Sequence, residues 1–266
     1  MTYRQLLFGG NSLDGTGGIT KYSLVRDLLK QSFALVGVIK ALRQIPFDVK
    51  RALWCVGRDG DIKDYLDSHP VRKLQIGAGY NMLDGWLNAD FNPDTRQPGQ
   101  LYLNATRRFP FPDAAFDCVF SEHMIEHIWW PDGQFMLKEC YRILKPGGKI
   151  RISTPNLESI ASLIQPPLTP IKQQYLKLST DKHIPHAVGY RPGFVMNNFY
   201  WDFGHFFIYD SETLDLALKL AGFSEIQRWQ PMQSDDPLLT GIESHQKIVG
   251  DEVNVFESII MQGVKR

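Results

Sequence analysis

This sequence predicts an α/β chain built on a doubly wound, mostly parallel sheet, and three observations carry the prediction. From residue 71 onward, short apolar runs alternate with stretches whose apolar residues recur every three or four positions. The first of these runs, Lys73–Ile76, ends in Gly77-Ala78-Gly79. Glycines placed directly after a buried strand let a ligand approach the backbone closely. The next apolar run ends in an acid, Asp90, whose carboxylate suits a ribose diol because it accepts both hydroxyl protons. Together these read as the nucleoside half of a crevice at the carboxyl ends of parallel strands.

The elements follow in order. Residues 1–20 are glycine-rich but lack the Gly-Lys-Ser/Thr ending of a phosphate loop, so they read as a flexible lead-in. Residues 21–68 have helical periodicity, with Leu24, Leu28, Leu29, Phe33 and Val36 on one face and Pro46 as the expected break. Strands are expected at 72–76, 86–90, 101–104 and 116–121. A helix at 132–144 is stopped by Lys145-Pro146-Gly147-Gly148, and a strand at 149–153 follows. A helix at 211–222, with Ser211 as N-cap and Gly222 as its stop, precedes strands at 225–229 and 255–261. The sheet is therefore seven-stranded, and the last strand, arriving without a crossover helix, forms an antiparallel end pair. The expected organisation is an N-terminal helical extension (1–70) packed on a core domain (71–266) that carries an insertion at about 156–205.

One spacing departs from the ordinary pattern. Gly79 and Asp90 are eleven positions apart, whereas a crossover between parallel strands takes about a dozen residues or more. The helix after the first strand must be truncated, and 91–99, with two prolines, is equally short of helix. One sheet face then lacks its usual cover. The apolar helices of 21–68 are expected to supply it.

Composition excludes several classes. Lys+Arg and Asp+Glu both total 29 in 266 residues, so no bulk electrostatic pull toward nucleic acid or anionic membrane is expected. Hydrophobic content of 43% supports a full core. Cys55, Cys118 and Cys140 lack metal-type spacing and read as reduced thiols. No basic region precedes an apolar run at the N-terminus, and the run 33–38 is broken by Lys40 and Arg43, too early for a membrane span. A cytoplasmic protein is the expectation.

Four motifs now stand in order: Leu74-Gln75-Ile76-Gly77-Ala78-Gly79; Phe109-Pro110-Phe111-Pro112-Asp113 with Phe116-Asp117; Ser121-Glu122-His123-Met124-Ile125-Glu126-His127; and Arg142-Ile143-Leu144-Lys145-Pro146-Gly147-Gly148. Gly204-His205, Tyr209 and Ala221-Gly222-Phe223 follow. In these the chain resembles class I S-adenosylmethionine-dependent methyltransferases of the type 11 group, Rossmann-like enzymes, and among them predicted methyltransferases that accompany sugar and polysaccharide genes. The resemblance covers most of residues 71–266. It implies S-adenosylmethionine as cofactor and a sugar or small-molecule acceptor methylated on oxygen.

The resemblance also implies roles. Gly77, Ala78 and Gly79 would pass under the methionine part of the cofactor, Asp90 would bind the ribose, and Asn104, Ala105 and Thr106 would meet adenine. Ser121, Glu122 and His123 would lie beside the methyl group. Asn81 replaces the third loop glycine, and asparagine tolerates the left-handed backbone. Histidine is suited to removing a hydroxyl proton near neutral pH, so His123 and His205 are the candidate bases, with His127 behind them. The aromatic-rich insertion 156–205 leaves the strand ends where an acceptor pocket or lid would stand.

Three other readings fit parts of this sequence. A nicotinamide-dependent oxidoreductase places its acid about 20 residues beyond the glycines, and this chain does not. His123-x-x-Glu126-His127 fits an inverted zinc-hydrolase pattern, but it begins at a strand end instead of within a long helix, and no metal site is expected. A nucleoside-binding protein without chemistry is the third reading.

Overall fold

The computed structural model describes residues 33–266. The glycine-rich segment and the first turns expected of the N-terminal helix lie outside the described residues. Helix α1 (Phe33–Trp54) runs through Pro46, and the break before α2 (Arg58–Ser68) falls at Gly57, which takes the left-handed backbone (φ 83°) that glycine adopts without cost. The break expected at Pro46 is therefore displaced by about three turns of helix.

Seven strands form one sheet: β1 (Lys73–Ile76), β2 (Leu87–Asp90), β3 (Leu101–Tyr102), β4 (Phe116–Glu122), β5 (Leu144–Pro155), β6 (Ser224–Trp229) and β7 (Ser258–Val264), in the order β3-β2-β1-β4-β5-β7-β6. The first five pair in parallel, and β7 runs antiparallel between β5 and β6. The sheet is thus mixed, with the antiparallel end pair the sequence predicts. Helix α3 (Trp130–Ile143) crosses from β4 to β5. α4 (Leu157–Ser162), α5 (Pro170–His183) and α6 (Pro192–Trp201) follow β5, and α7 (Ser211–Ala221) leads to β6. The N-cap of α7 is Asp210, one residue before the expected Ser211, with its carboxylate accepting from Thr213 N–H at 2.7 Å. After β6 come α8 (Gln246–Val249) and α9 (Asp251–Glu257). The expected strand at 255–261 thus starts three residues late, because Asp251 and Glu252 open a helical turn, where acids oppose the dipole favourably.

The two sheet faces differ sharply. Residues in register across neighbouring strands point to one side. One face holds Leu87, Ala89, Leu74, Ile76, Val119, Ile150, Ile152 and Met261. These bury against Met136, Leu137, Cys140 and Ile143 of α3 and Leu214, Ala217 and Leu218 of α7. The other face carries Asn88, Gln75, Phe120, Arg151 and Gln262. Segment 230–249 packs on it: Leu238, Leu239 and Ile242 join Trp86, Cys118 and Phe120 in a small cluster, and Glu243 ion-pairs with fully buried Arg151. Among the described residues, the cover on this face comes from the stretch between β6 and β7; residues 21–32 of the segment expected to supply it lie outside the described residues. α1 and α2 contact β3 at the sheet edge, while Ile62 and Tyr65 of α2 join the main core cluster.

The insertion builds a cluster of its own. Ile160, Leu163, Tyr175, Leu176, Val195 and Phe199, from α4 to α6, pack with Val253 of α9. No described helix is long and apolar enough to cross a membrane.

Candidate active site

The site begins where β1 ends. The Gly77 and Ala78 N–H groups both donate to the Ala89 carbonyl, at 2.9 and 3.0 Å, which bends the chain sharply off the strand. Gly77 has φ +74°, and a Cβ there would stand 2.5 Å from the Met124 side chain, so only glycine fits. Gly79 (φ +51°) faces open space, with nothing within 4 Å of where a Cβ would be. Asn81 N–H closes the turn on Ala78 O at 2.8 Å.

Asp90 pins this turn. Its Oδ2 accepts from Gly79 N–H at 2.7 Å, and its Oδ1 accepts from Phe91 and Asn92 N–H at 2.7 and 2.8 Å. An ionised carboxylate offers about four acceptor positions, so about one remains for a ligand hydroxyl. Gln100 Nε2 holds the Gly79 carbonyl at 2.6 Å, and Trp54 of α1 donates its indole N–H to the Gln100 carbonyl at 2.8 Å. The N-terminal extension therefore reaches the glycine turn through one intermediary.

A cleft of about 400 Å³ opens above the turn, lined by Gln75, Gly77, Ala78, Tyr80, Asn81, Glu122 and His123 on the strand side. Its far wall is Ser244, His245, Lys247 and Ile248. Of the residues singled out in the sequence, Gly77, Ala78, Glu122 and His123 meet on this cleft. Gly79 and Asp90 adjoin it through the turn. Asn104, Ala105, Thr106, Ser121 and His205 are not among its lining residues. Asn104 Oδ1 accepts from Thr106 N–H and Oγ1, both at 2.9 Å, forming a local turn beyond β3, and Ala105 is buried in the core.

Glu122 is committed within the protein. Its carboxylate accepts from the N–H groups of Ser244 and His245 and from Ser244 Oγ, at 2.8–3.1 Å. It thereby ties the far wall to the end of β4. His123 takes a left-handed backbone (φ 46°), uncommon outside glycine. Its Nε2 meets Ser258 Oγ at 3.1 Å, and its ring stacks on His245 with centroids 3.8 Å apart. Burial opposes charge on His123, but the neighbouring Glu126 carboxylate outweighs it and the pKa is raised. Glu126 itself is fully buried. Burial alone would raise its pKa, yet the adjacent His123 and His127 rings hold it down at about 2. His205 lies against His127, ring centroids 5.0 Å apart, and burial lowers its pKa to about 4. At neutral pH the His205 ring is uncharged. Burial pushes the Cys118 thiol up to about 12, so it stays a neutral packing group.

The residues around the cleft fit an S-adenosyl nucleoside. Gln75 Oε1, Asn81 Nδ2 and Ser121 Oγ are buried without a hydrogen-bond partner, and the first two belong to cleft-lining residues. Buried polar atoms of this kind ask for a partner, and the ligand's amine, carboxylate and hydroxyls supply both kinds. The sequence reading missed Gln75 and the wall 244–248. Gln75, a polar residue within a buried strand, was a readable signal. Residues 244–248 had none, because only the packing of 230–249 brings them to β4.

Comparisons with known proteins find similar sequences over part of this chain. Residues 81–152 match the methyltransferase domain family. A probable S-adenosylmethionine-dependent methyltransferase of Mycolicibacterium smegmatis is 33% identical over 81 residues, 30% of this chain and 31% of that protein. The malonyl-[acyl-carrier protein] O-methyltransferase of Erwinia billingiae is 34% identical over 70 residues, 26% and 25% of the two chains. The matched stretches span under a third of these relatives. Among solved structures, a SAM-dependent methyltransferase from Archaeoglobus fulgidus aligns with 92% of this chain and 100% of its own, at 20% identity and a TM-score of 0.46.

Proposed function

We propose that this chain, which carries a class I S-adenosylmethionine-dependent methyltransferase domain with S-adenosylmethionine as its cofactor, methylates an oxygen of a small-molecule acceptor, of saccharide type. The observation that carries the reading is the 400 Å³ cleft on the Gly77–Gly79 turn, with Asp90 clamped to the Gly79 amide at one end and His123 at the other. When bound, the cofactor supplies a methyl group already activated by its sulfonium charge. The protein's part is then alignment and proton handling.

In this proposal Gly77, Ala78 and Gly79 leave room for the methionine portion, and Asp90 takes a ribose hydroxyl on its remaining acceptor position. Asn104, Ala105 and Thr106 border adenine, with the Asn104 amide N–H₂ as the free donor group. Ser121 offers its unpaired hydroxyl, while Glu122 holds the far wall in place. His123, on the cleft, orients the acceptor. His205 is the weaker candidate for a base, since its low pKa gives little driving force to keep a proton. An exposed aromatic pair supports the saccharide class: Trp129 and Phe206 lie with ring centroids 5.0 Å apart beside His127 and His205, and exposed aromatic faces suit sugar rings.

Calorimetry with S-adenosylmethionine, S-adenosylhomocysteine and NAD tests the cofactor. The first two should bind with or without chelator, and Asp90→Ala should weaken them by about 1.5–3 kcal/mol, the loss of bonds to a charged group. Preference for NAD, or an Asp90→Ala variant of unchanged affinity, would overturn the reading. A radiolabelled methyl screen across saccharides, other hydroxy compounds and amines tests the acceptor; transfer to amines alone would refute the oxygen assignment.

A further inference from the structure

Behind His123 the turn Ile125–His127 brings together groups that the cleft does not use. Ligand atoms of Glu126, His127 and His205 all lie within 4.8 Å of one another. Two of the three are supported from behind. Glu126 Oε2 accepts from Thr154 Oγ1 at 3.0 Å, while Oε1 is buried with no hydrogen-bond partner. His127 Nδ1 lies 3.2 Å from the Gly204 carbonyl. A carbonyl only accepts, so Nδ1 carries the hydrogen and the neutral ring keeps its lone pair on Nε2, the atom 3.9 Å from Glu126 Oε1. His205 Nδ1 is also buried and without a partner. A fully buried carboxylate oxygen with nothing to accept from is costly, and here it faces two imidazoles.

We propose that Glu126, His127 and His205 bind a divalent transition-metal cation, as two imidazoles and one carboxylate, with open positions for water or an acceptor's oxygens. The donor set is that of zinc, manganese, iron or cobalt sites rather than of calcium or magnesium sites made of oxygen alone. Carbonyl–histidine and hydroxyl–carboxylate contacts behind the ligands are the outer supports such sites carry. Metal–ligand bonds of about 2.0–2.2 Å require the three side chains to close somewhat on the ion. His123 joins this centre to the cleft: its Nδ1 is 3.6 Å from Glu126 Oε1 and its ring lines the cleft wall. On the methyltransferase reading, which this last point rests on, the cation would hold the acceptor oxygen and lower its pKa.

The experiment is a Co²⁺ titration of the full chain after treatment with chelator, followed by visible ligand-field absorption and calorimetry, with S-adenosylmethionine binding measured separately. One Co²⁺ per chain with imidazole-type absorption is expected. His205→Ala should abolish that absorption while keeping the melting temperature and nucleoside affinity. Thr154→Val, which removes only the support behind Glu126, should weaken Co²⁺ by about 10–100-fold. No saturable Co²⁺ binding, or a His205→Ala variant that binds as the parent does, overturns the site. Co²⁺ binding without nucleoside binding would leave the site standing and refute the methyltransferase reading instead.

Discussion

The two faces of the sheet solve the same problem by different means. The face under α3 and α7 is closed by aliphatic side chains, nearly all fully buried. The face under 230–249 is closed by a small apolar cluster and a set of polar links: Arg151 to Glu243, Glu122 to Ser244 and His245, Gln262 to Ser234, and Lys149 to Asp235 and Asp236. Apolar burial is non-directional and tolerant. Polar links are directional, and each fails if one partner is lost. The difference teaches where the cleft could form: a segment held by a few oriented bonds, instead of a helix laid flat, leaves a wall standing off the strand ends.

The largest expected effect breaks this comparison at its most polar point. Arg151→Met leaves Glu243 buried and unpaired, and should cost about 3–5 kcal/mol in denaturant unfolding. The double substitution Arg151→Met with Glu243→Leu should recover most of that stability. If the single substitution is neutral, the buried pair does not hold the segment. On the opposite face, Leu137→Ala should cost about 2–5 kcal/mol through the cavity it leaves. The protein that remains folded should bind nucleoside with unchanged affinity, and a large affinity loss would mean that the two faces are coupled.

Smaller changes sharpen the comparison. Glu122→Ala strands the Ser244 and His245 N–H groups and should cost about 1–3 kcal/mol. Hydrogen exchange should speed up selectively in 230–249, and uniform exchange across the chain would argue against a local anchor. Lys149→Ala breaks a partly exposed pair and should change stability by about 0–1 kcal/mol, with the difference shrinking at high salt. A salt-independent loss above that range would show that Lys149 acts through packing.

Much of this protein was legible in its order of residues. The strand at Lys73–Ile76, the glycine turn, Asp90, the helix stopped near Leu144 and the antiparallel closing pair all follow from local rules of period, turn and cap. Those rules act over a few residues, so one sequence displays them. Misplaced boundaries came at Pro46, where the helix runs on to Trp54, and at Asp251, where a short acidic turn outweighed an apolar run.

The tertiary structure alone decided what no local rule reaches. The eleven-residue step from Gly79 to Asp90 showed that a face was uncovered, but not that 230–249 would cover it. Glu122 finds its donors 122 and 123 positions away, and Arg151 finds Glu243 at 92. His127 meets the Gly204 carbonyl 77 positions on, and with it His205. His123-x-x-Glu126-His127 was visible as a motif, yet its third partner lay beyond a whole helical insertion. Contacts of that range depend on how the chain closes on itself, because their energy comes from burying specific charges together and not from the conformational preference of any segment.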